Sequence, residues 1–405
     1  MTDDRPTRAS YDCVVVGGGP AGATAAALIA ERGHTVLVLE RSRFPRHHIG
    51  ESLMPQTYWT LERLGMLERL AASGFPRKQS VQFVSASGKD SQPYYFTDRD
   101  PGAHSITWQV RRDLFDEMML DNACRRGAEV CFEASVSEVL LAGGRATGVT
   151  VRTAGTTRRI NASVVVDATG MVGLLSRQLS IREADPELHN ACIYAYYDGA
   201  VRDEGRNAGA TIIIHTQDRK GWFWFIPLSG GVSSIGIVAP PAYLFDGRGG
   251  DPAATLDEEI RSCRGVERRL QRARRVDGPY VTSDFSYRSR RLAGDGWVMV
   301  GDAYGFLDPI YSSGVFFALT SGEMAADAIH EGLSSGDLSG ESLGRFQGRL
   351  DGGMHMIRRL VHAFYDRSFS FGRFTRAHPR FQDHIVRLLI GDVFNDEVGE
   401  VFDAM

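Results

Sequence analysis

Lysine is almost missing from this chain. Of 46 basic residues only Lys78, Lys89 and Lys220 are lysines; the rest are arginine. Arginine serves a solvated surface well but stays protonated near physiological pH, so it cannot supply a neutral amine. Each remaining lysine is therefore a candidate for chemistry. Cysteine is sparse too: Cys13, Cys124, Cys131, Cys192 and Cys263 are odd in number and widely spaced, with no CxxC pair. That pattern argues against a disulfide framework and a structural zinc site. His47, His48 and Glu51 put three potential metal ligands within five residues, and with nothing matching them elsewhere no metal is expected. A net charge of -4 leaves no electrostatic footprint for nucleic acid or an anionic membrane. Long apolar runs are missing as well. Val14 to Val16 and Ala25 to Ala30 fall far short of the roughly 20 residues a membrane span needs, and Met1 to Ser10 is polar with no signal core. With 43% hydrophobic and 24% charged residues, the expectation is a cytoplasmic globular protein with no membrane span and no nucleic-acid partner.

What the chain does have is a nucleotide-binding start. "YDCVVVGGGPAGATAAALIAERGHTVLVLE" reads as strand, turn, helix, strand, closing on Glu40. In the turn, Gly17 permits the tight bend, Gly19 lets backbone approach a pyrophosphate, Pro20 and Ala21 open the helix, and Gly22 lets that helix pack on the sheet. The helix N-terminus faces the phosphates. Glu40, 18 residues after Gly22, is placed to accept from ribose hydroxyls.

Three later stretches choose the dinucleotide. "VVVDATG" (Val164 to Gly170) is a second buried strand, "VRRDLFDEMML" puts Arg112 at a helix start, and "GDGWVMVGDAYGFLDPIYSSG" carries a strand into Gly301-Asp302. Together with the N-terminal unit these resemble the FAD-dependent aromatic monooxygenases and their relatives, over Tyr11 to His330. The resemblance implies FAD, with Asp302 on the ribityl chain and Arg112 reaching the flavin.

The implied fold class is α/β: a Rossmann-like FAD-binding domain with an inserted antiparallel β-sheet substrate domain and a helical C-terminal segment. Residues 1–80, 105–185 and 275–335 would form the discontinuous FAD domain. Residues 81–104 and 186–274 would form the β-rich domain, where "ACIYAYYDGA", "GATIIIHT", "GWFWFIPL" and "GVSSIGIVAP" read as strands. "LDEEIRSCRGVERRLQRARRV" reads as one helix, and 336–405 as helical.

"GWFWFIPL" is unusual. On a strand Trp222, Trp224 and Ile226 share one face and Phe223 and Phe225 the other, with Pro227 just beyond. A strand aromatic on both faces needs cover on both sides, and in this fold one face should look toward the flavin. The spacing Trp-x-Trp-x-Ile-Pro also matches the signature of flavin-dependent halogenases, and the chain resembles their phenol- and pyrrole-acting branch. In that family the reduced flavin and oxygen form a hydroperoxide that chloride or bromide attacks. The hypohalous acid then travels to a lysine beside the aromatic substrate, while the tryptophans keep that substrate from the flavin. The resemblance places the lysine downstream of a "GESL" segment, which here is Gly50 to Leu53, and so points to Lys78, with Lys220 as second choice. An ammonium can orient hypohalous acid, and a partly desolvated amine can form a haloamine. The family's halide loop corresponds to Ser313 and Gly314, where backbone N–H groups at a helix start hold an anion.

The glutamate that tryptophan-acting members place before their Ser/Thr-Gly pair has no equivalent, since positions 311 and 312 are Tyr and Ser. Free tryptophan is therefore disfavoured. The implied reaction is FADH2- and O2-dependent chlorination or bromination of a phenol or pyrrole, free or on a carrier protein, in natural-product biosynthesis. With no second nucleotide fold in the chain, a separate NADH-dependent flavin reductase would supply FADH2. Two readings stand beside it: an FAD-dependent monooxygenase or geranylgeranyl-reductase-like oxidoreductase, and a flavoprotein without turnover.

Overall fold

A computed structural model of the chain describes residues 6–98, 100–283, 285–366 and 368–405. Its first layer is a mainly parallel sheet built on the strand Ser10–Val16. That strand pairs in parallel with Val36–Leu39 on one side and Thr156–Asp167 on the other. Glu129–Cys131 and Trp297–Met299 extend the sheet outward, and Ser135–Ala142 with Arg145–Thr153 forms a hairpin on Thr156–Asp167. Val14, Val15, Leu37, Val38, Val165 and Val166 are fully buried, as β-branched and aliphatic residues are in a sheet covered on both faces.

The helix Pro20–Ala30 starts with proline in its first turn and is buried along its whole length. It packs against the helices Arg112–Arg125 and Ser313–Ser335. A Cβ on Gly22 would fall 2.0 Å from the Gly17 carbonyl oxygen. Only glycine lets the turn close over the helix here.

The second layer is a seven-stranded sheet. In spatial order its strands are Arg274–Ser283, Ala191–Asp198, Val232–Ala239, Trp222–Pro227, Thr211–His215, Ser80–Val84 and Tyr94–Tyr95. The four strands expected from the sequence are all present. One face of the sheet joins the main core, and the other forms a second core with the helices Pro252–Ser262 and Arg264–Leu270.

Three expectations need correction. The sheet is not wholly antiparallel, because Thr211–His215 pairs in parallel with Ser80–Val84. Those two segments are far apart in sequence and no hairpin joins them, so no turn forces them antiparallel. The domain boundary at 275 also moves: Arg274–Ser283 pairs with Ala191–Asp198, so this stretch belongs to the second sheet and not to the FAD domain. The expected single helix from Leu256 breaks at Cys263, whose backbone is extended (φ -108°, ψ 96°), and its last residues, Arg274 to Val276, are strand. The C-terminal region is helical, with Gln347–Tyr365 as its longest element.

Candidate active site

A cavity of about 530 Å³ opens between the two sheets and is lined from both. At its nucleotide end stand Gly17, Gly19, Pro20, Ala21, Glu40, Arg112 and Asp302. Gly22 lies one residue deeper and serves the packing described above. The Glu40 carboxylate accepts from the backbone N–H of Gly18 at 2.8 Å and of Ser42 at 2.9 Å. Arg112 forks onto Asp116 at 2.7 and 3.0 Å and reaches the Ile49 carbonyl. The Asp302 carboxyl is half-buried at the cavity wall, and desolvation pushes its pKa up to about 6 against the opposing pull of Arg112.

Glu51 is the unexpected member of this wall. Its Oε1 accepts from the Tyr196 hydroxyl at 2.7 Å, while Oε2 is buried without a partner among the described residues. Burial raises its pKa. An orphaned buried carboxylate oxygen is costly unless a ligand meets it. The backbone over Gly19 is also clear: a Cβ there would come no nearer than 3.5 Å to its nearest neighbour, the Arg46 guanidinium. A glycine turn at a helix start, three acids (Glu40, Glu51 and Asp302) and a buried arginine around one cavity fit a bound dinucleotide.

The tryptophan strand forms the opposite wall. Trp222, Trp224 and Ile226 line the cavity, Phe223 and Phe225 lie in the second core, and Pro227 ends the strand outside the cavity wall. Trp224 lies across its strand partner Gly236, where a Cβ would fall 2.3 Å from the indole, and its Nε1–H donates to Ser234 Oγ at 3.0 Å. Trp222 Nε1–H donates to the Tyr365 hydroxyl at 2.9 Å, which donates to Asp308 Oδ2 at 3.0 Å. Asp308 also accepts from Asn190 Nδ2 and from the Ile310 N–H, and burial pushes its pKa up to about 7. The C-terminal helix thus holds one of the two indoles in place.

Of the three lysines only Lys78 is buried, at 3% exposure; Lys89 and Lys220 are exposed. Lys78 Nζ donates to Ser52 Oγ and to the Leu53 carbonyl, both at 2.9 Å. Ser52 in turn lines the cavity, so the amine stands one hydrogen bond behind its wall. Desolvation lowers the Lys78 pKa to about 7, because a buried site disfavours the charged form. In the neutral amine both N–H groups are engaged and the lone pair is free.

In the loop after Gly301-Asp302, the wall is made by Pro309, Ile310, Ser312, Gly314 and Val315. Ser313 is buried but is not part of it, so of the expected pair Ser313 and Gly314 only Gly314 faces the cavity. Ser312 takes the left-handed conformation (φ 60°, ψ 27°) immediately before the helix Ser313–Ser335. That turn presents 312 and 314 to the cavity and leaves 313 behind.

Sequence reasoning missed Glu51, Ser52, Thr211, Asp308 and Tyr365. The "GESL" segment marked the position of the first two without assigning them a role. Asp308 followed by Pro309 is a helix-capping pair legible in the sequence. Nothing local marks Thr211 or Tyr365.

The family model for tryptophan halogenase matches residues 96–370, and that for FAD dependent oxidoreductase matches residues 12–178. A 1H-pyrrole-2-carbonyl-[peptidyl-carrier protein] brominase of Pseudoalteromonas luteoviolacea is 33% identical over 391 residues, covering 96% of this chain and 93% of its own. The corresponding chlorinase of Pseudomonas fluorescens is 29% identical, covering 98% and 92%. Among solved structures, the flavin-dependent brominase Bmp2 superposes with a TM-score of 0.88 at 30% identity, covering 97% of each chain.

Proposed function

The chain belongs to the tryptophan halogenase family of flavin-dependent enzymes, and on that premise we propose that it halogenates a pyrrole carried on a peptidyl carrier protein, using FADH2, oxygen and chloride or bromide. FAD and halide follow from family membership. The pyrrole and its carrier are supported by the brominase and chlorinase relatives, which cover nearly the whole chain. Tyr311 and Ser312 precede the Ser-Gly pair in place of the acid expected for free tryptophan.

The observation that carries this reading is Lys78: the one buried lysine, desolvated to a pKa of about 7, one hydrogen bond behind the wall of a dinucleotide-sized cavity. When bound, the flavin supplies the oxidising equivalent that converts halide to hypohalous acid. Every other role falls to the chain. Gly17, Gly19, Pro20, Ala21 and Gly22 form the turn and helix start that receive the pyrophosphate, and Glu40 takes the ribose. Arg112 and Asp302 hold the ribityl and ring end. Backbone N–H groups around Ser312 and Gly314 hold the halide at the start of a 23-residue helix. Trp222, Trp224 and Ile226 form the barrier between flavin and aromatic, and Pro227 ends their strand. Lys78 orients hypohalous acid toward the ring: its ammonium donates to the oxidant's oxygen, or its free lone pair takes up the halogen with release of water. A separate NADH-dependent reductase supplies FADH2.

The test is mass spectrometry of pyrrole-2-carbonyl carrier protein, free pyrroles and phenols incubated with protein, FAD, reductase, NADH, oxygen and bromide. The expected result is a product with the bromine isotope doublet, absent with Lys78→Ala. An oxygen-bearing product formed without halide would overturn the proposal in favour of a monooxygenase.

A further inference from the structure

Between the cavity and Lys78 lies a pair of hydroxyls. Ser52 and Thr211 both line the cavity, both are buried, and their oxygens are 2.7 Å apart. Lys78 Nζ donates to Ser52 Oγ at 2.9 Å, and Gln109 Nε2 donates to Thr211 Oγ1 at 2.9 Å. The orientation of the Gln109 amide is settled by its other bond, to the Gly209 carbonyl at 2.9 Å, because a carbonyl can only accept.

These contacts fix what the pair has left. Two hydroxyls hold two protons and four lone pairs. Lys78 and Gln109 each occupy a lone pair, and the bond between the hydroxyls uses one proton and one further lone pair. Whichever hydroxyl donates to the other, one O–H and one lone pair are left over. Neither oxygen has another side-chain hydrogen-bond partner among the described residues. Gln109 Oε1, in the same buried cluster, is a further acceptor without a partner among the described residues.

One donor and one acceptor side by side do not suit a halide, which only accepts. They suit a small neutral oxygen acid, which donates through its O–H and accepts at its oxygen. Resting on the function proposed above, we propose that Ser52 and Thr211 form a holding site for hypohalous acid at the cavity wall and deliver it to the Lys78 amine. No bond to either hydroxyl is made or broken. The pair holds the oxidant within reach of the amine, so it decides whether the oxidant is used on the aromatic or escapes.

Thr211→Val tests this, since valine keeps the side-chain shape and removes only the hydroxyl; Ser52→Ala is the second variant and Thr211→Ser the conservative rescue. Each is assayed with bromide on the aromatic that the wild type brominates, with a soluble 1,3-diketone present to trap free oxidant. The expected result for Thr211→Val is unchanged FAD affinity and unchanged total oxidised bromide, with the ratio of aromatic product to trapped bromide falling about tenfold, the equivalent of one lost hydrogen bond. Without the aromatic, bromide reaches the trap sooner after flavin oxidation. Thr211→Ser restores both. An unchanged ratio in Thr211→Val, or a fall in total oxidised bromide, overturns the proposal. Product surviving in Lys78→Ala would instead count against the role of the lysine.

Discussion

Replacing Lys78 with methionine separates the chemistry of this residue from its effect on stability, and the two should move in opposite directions. Methionine matches the lysine stem in length and removes the amine. In the folded chain the amine titrates at about 7, against an ordinary value of 10.5. Between those values the unfolded chain binds more protons than the folded one, so stability rises with pH from about 7 to 10.5 and is flat below 7. At pH 7.5 the difference amounts to roughly 4 kcal/mol against folding. The amine returns part of this through its bonds to Ser52 Oγ and the Leu53 carbonyl; leaving the carbonyl unpaired costs about 1–3 kcal/mol. Lys78→Met should therefore be more stable than the parent at pH 7.5, by about 1–3 kcal/mol, and should lose the rise in stability between pH 7 and 10. Organic halogenation should be abolished. Thermal unfolding across that pH range, beside the bromination assay, checks both parts. A variant less stable than the parent with the same pH slope would refute the desolvated amine, and retained product would refute its role.

Lys78→Arg should do the reverse, since a guanidinium stays charged. Its melting temperature should fall, with no product at any pH. Gly19→Ala should fold normally, its nearest neighbour being 3.5 Å away, yet lose FAD affinity, whereas Gly22→Ala should destabilise the fold itself; circular dichroism and flavin titration distinguish the two. Tyr365→Phe leaves the Trp222 N–H without its acceptor and takes one of two side-chain donors from Asp308 Oδ2, and should cost about 1–3 kcal/mol in chemical unfolding. Asp308 titrates at about 7 against an ordinary 3.8, so the folded chain binds the extra proton between them and stability falls as pH rises from 4 to 7. Asp308→Asn should flatten that fall, read as melting temperature against pH.

The parts legible in the sequence are those set by local pattern. Glycine spacing, a buried valine strand and a terminal acid specify the nucleotide turn, because backbone approach to a phosphate needs those residues at those positions. Alternation along Trp222 to Ile226 divides the two faces of that strand correctly, because strand side chains have a period of two. The scarcity of lysine already narrowed the chemistry to three positions. Which lysine matters in energetic terms is a different question: a pKa near 7 comes from the sheet and loops that bury Lys78, not from its neighbours in the chain. The same holds for Arg274–Ser283, whose place in the second sheet depends on a partner strand some eighty residues earlier. The hydroxyl pair is the clearest case. Ser52, Thr211, Lys78 and Gln109 come from four separate segments and carry no common motif, and only packing brings them within hydrogen-bonding distance. Local pattern determined the turn, the strand and the candidates; the tertiary fold decided desolvation and convergence, because both depend on what surrounds a group in space.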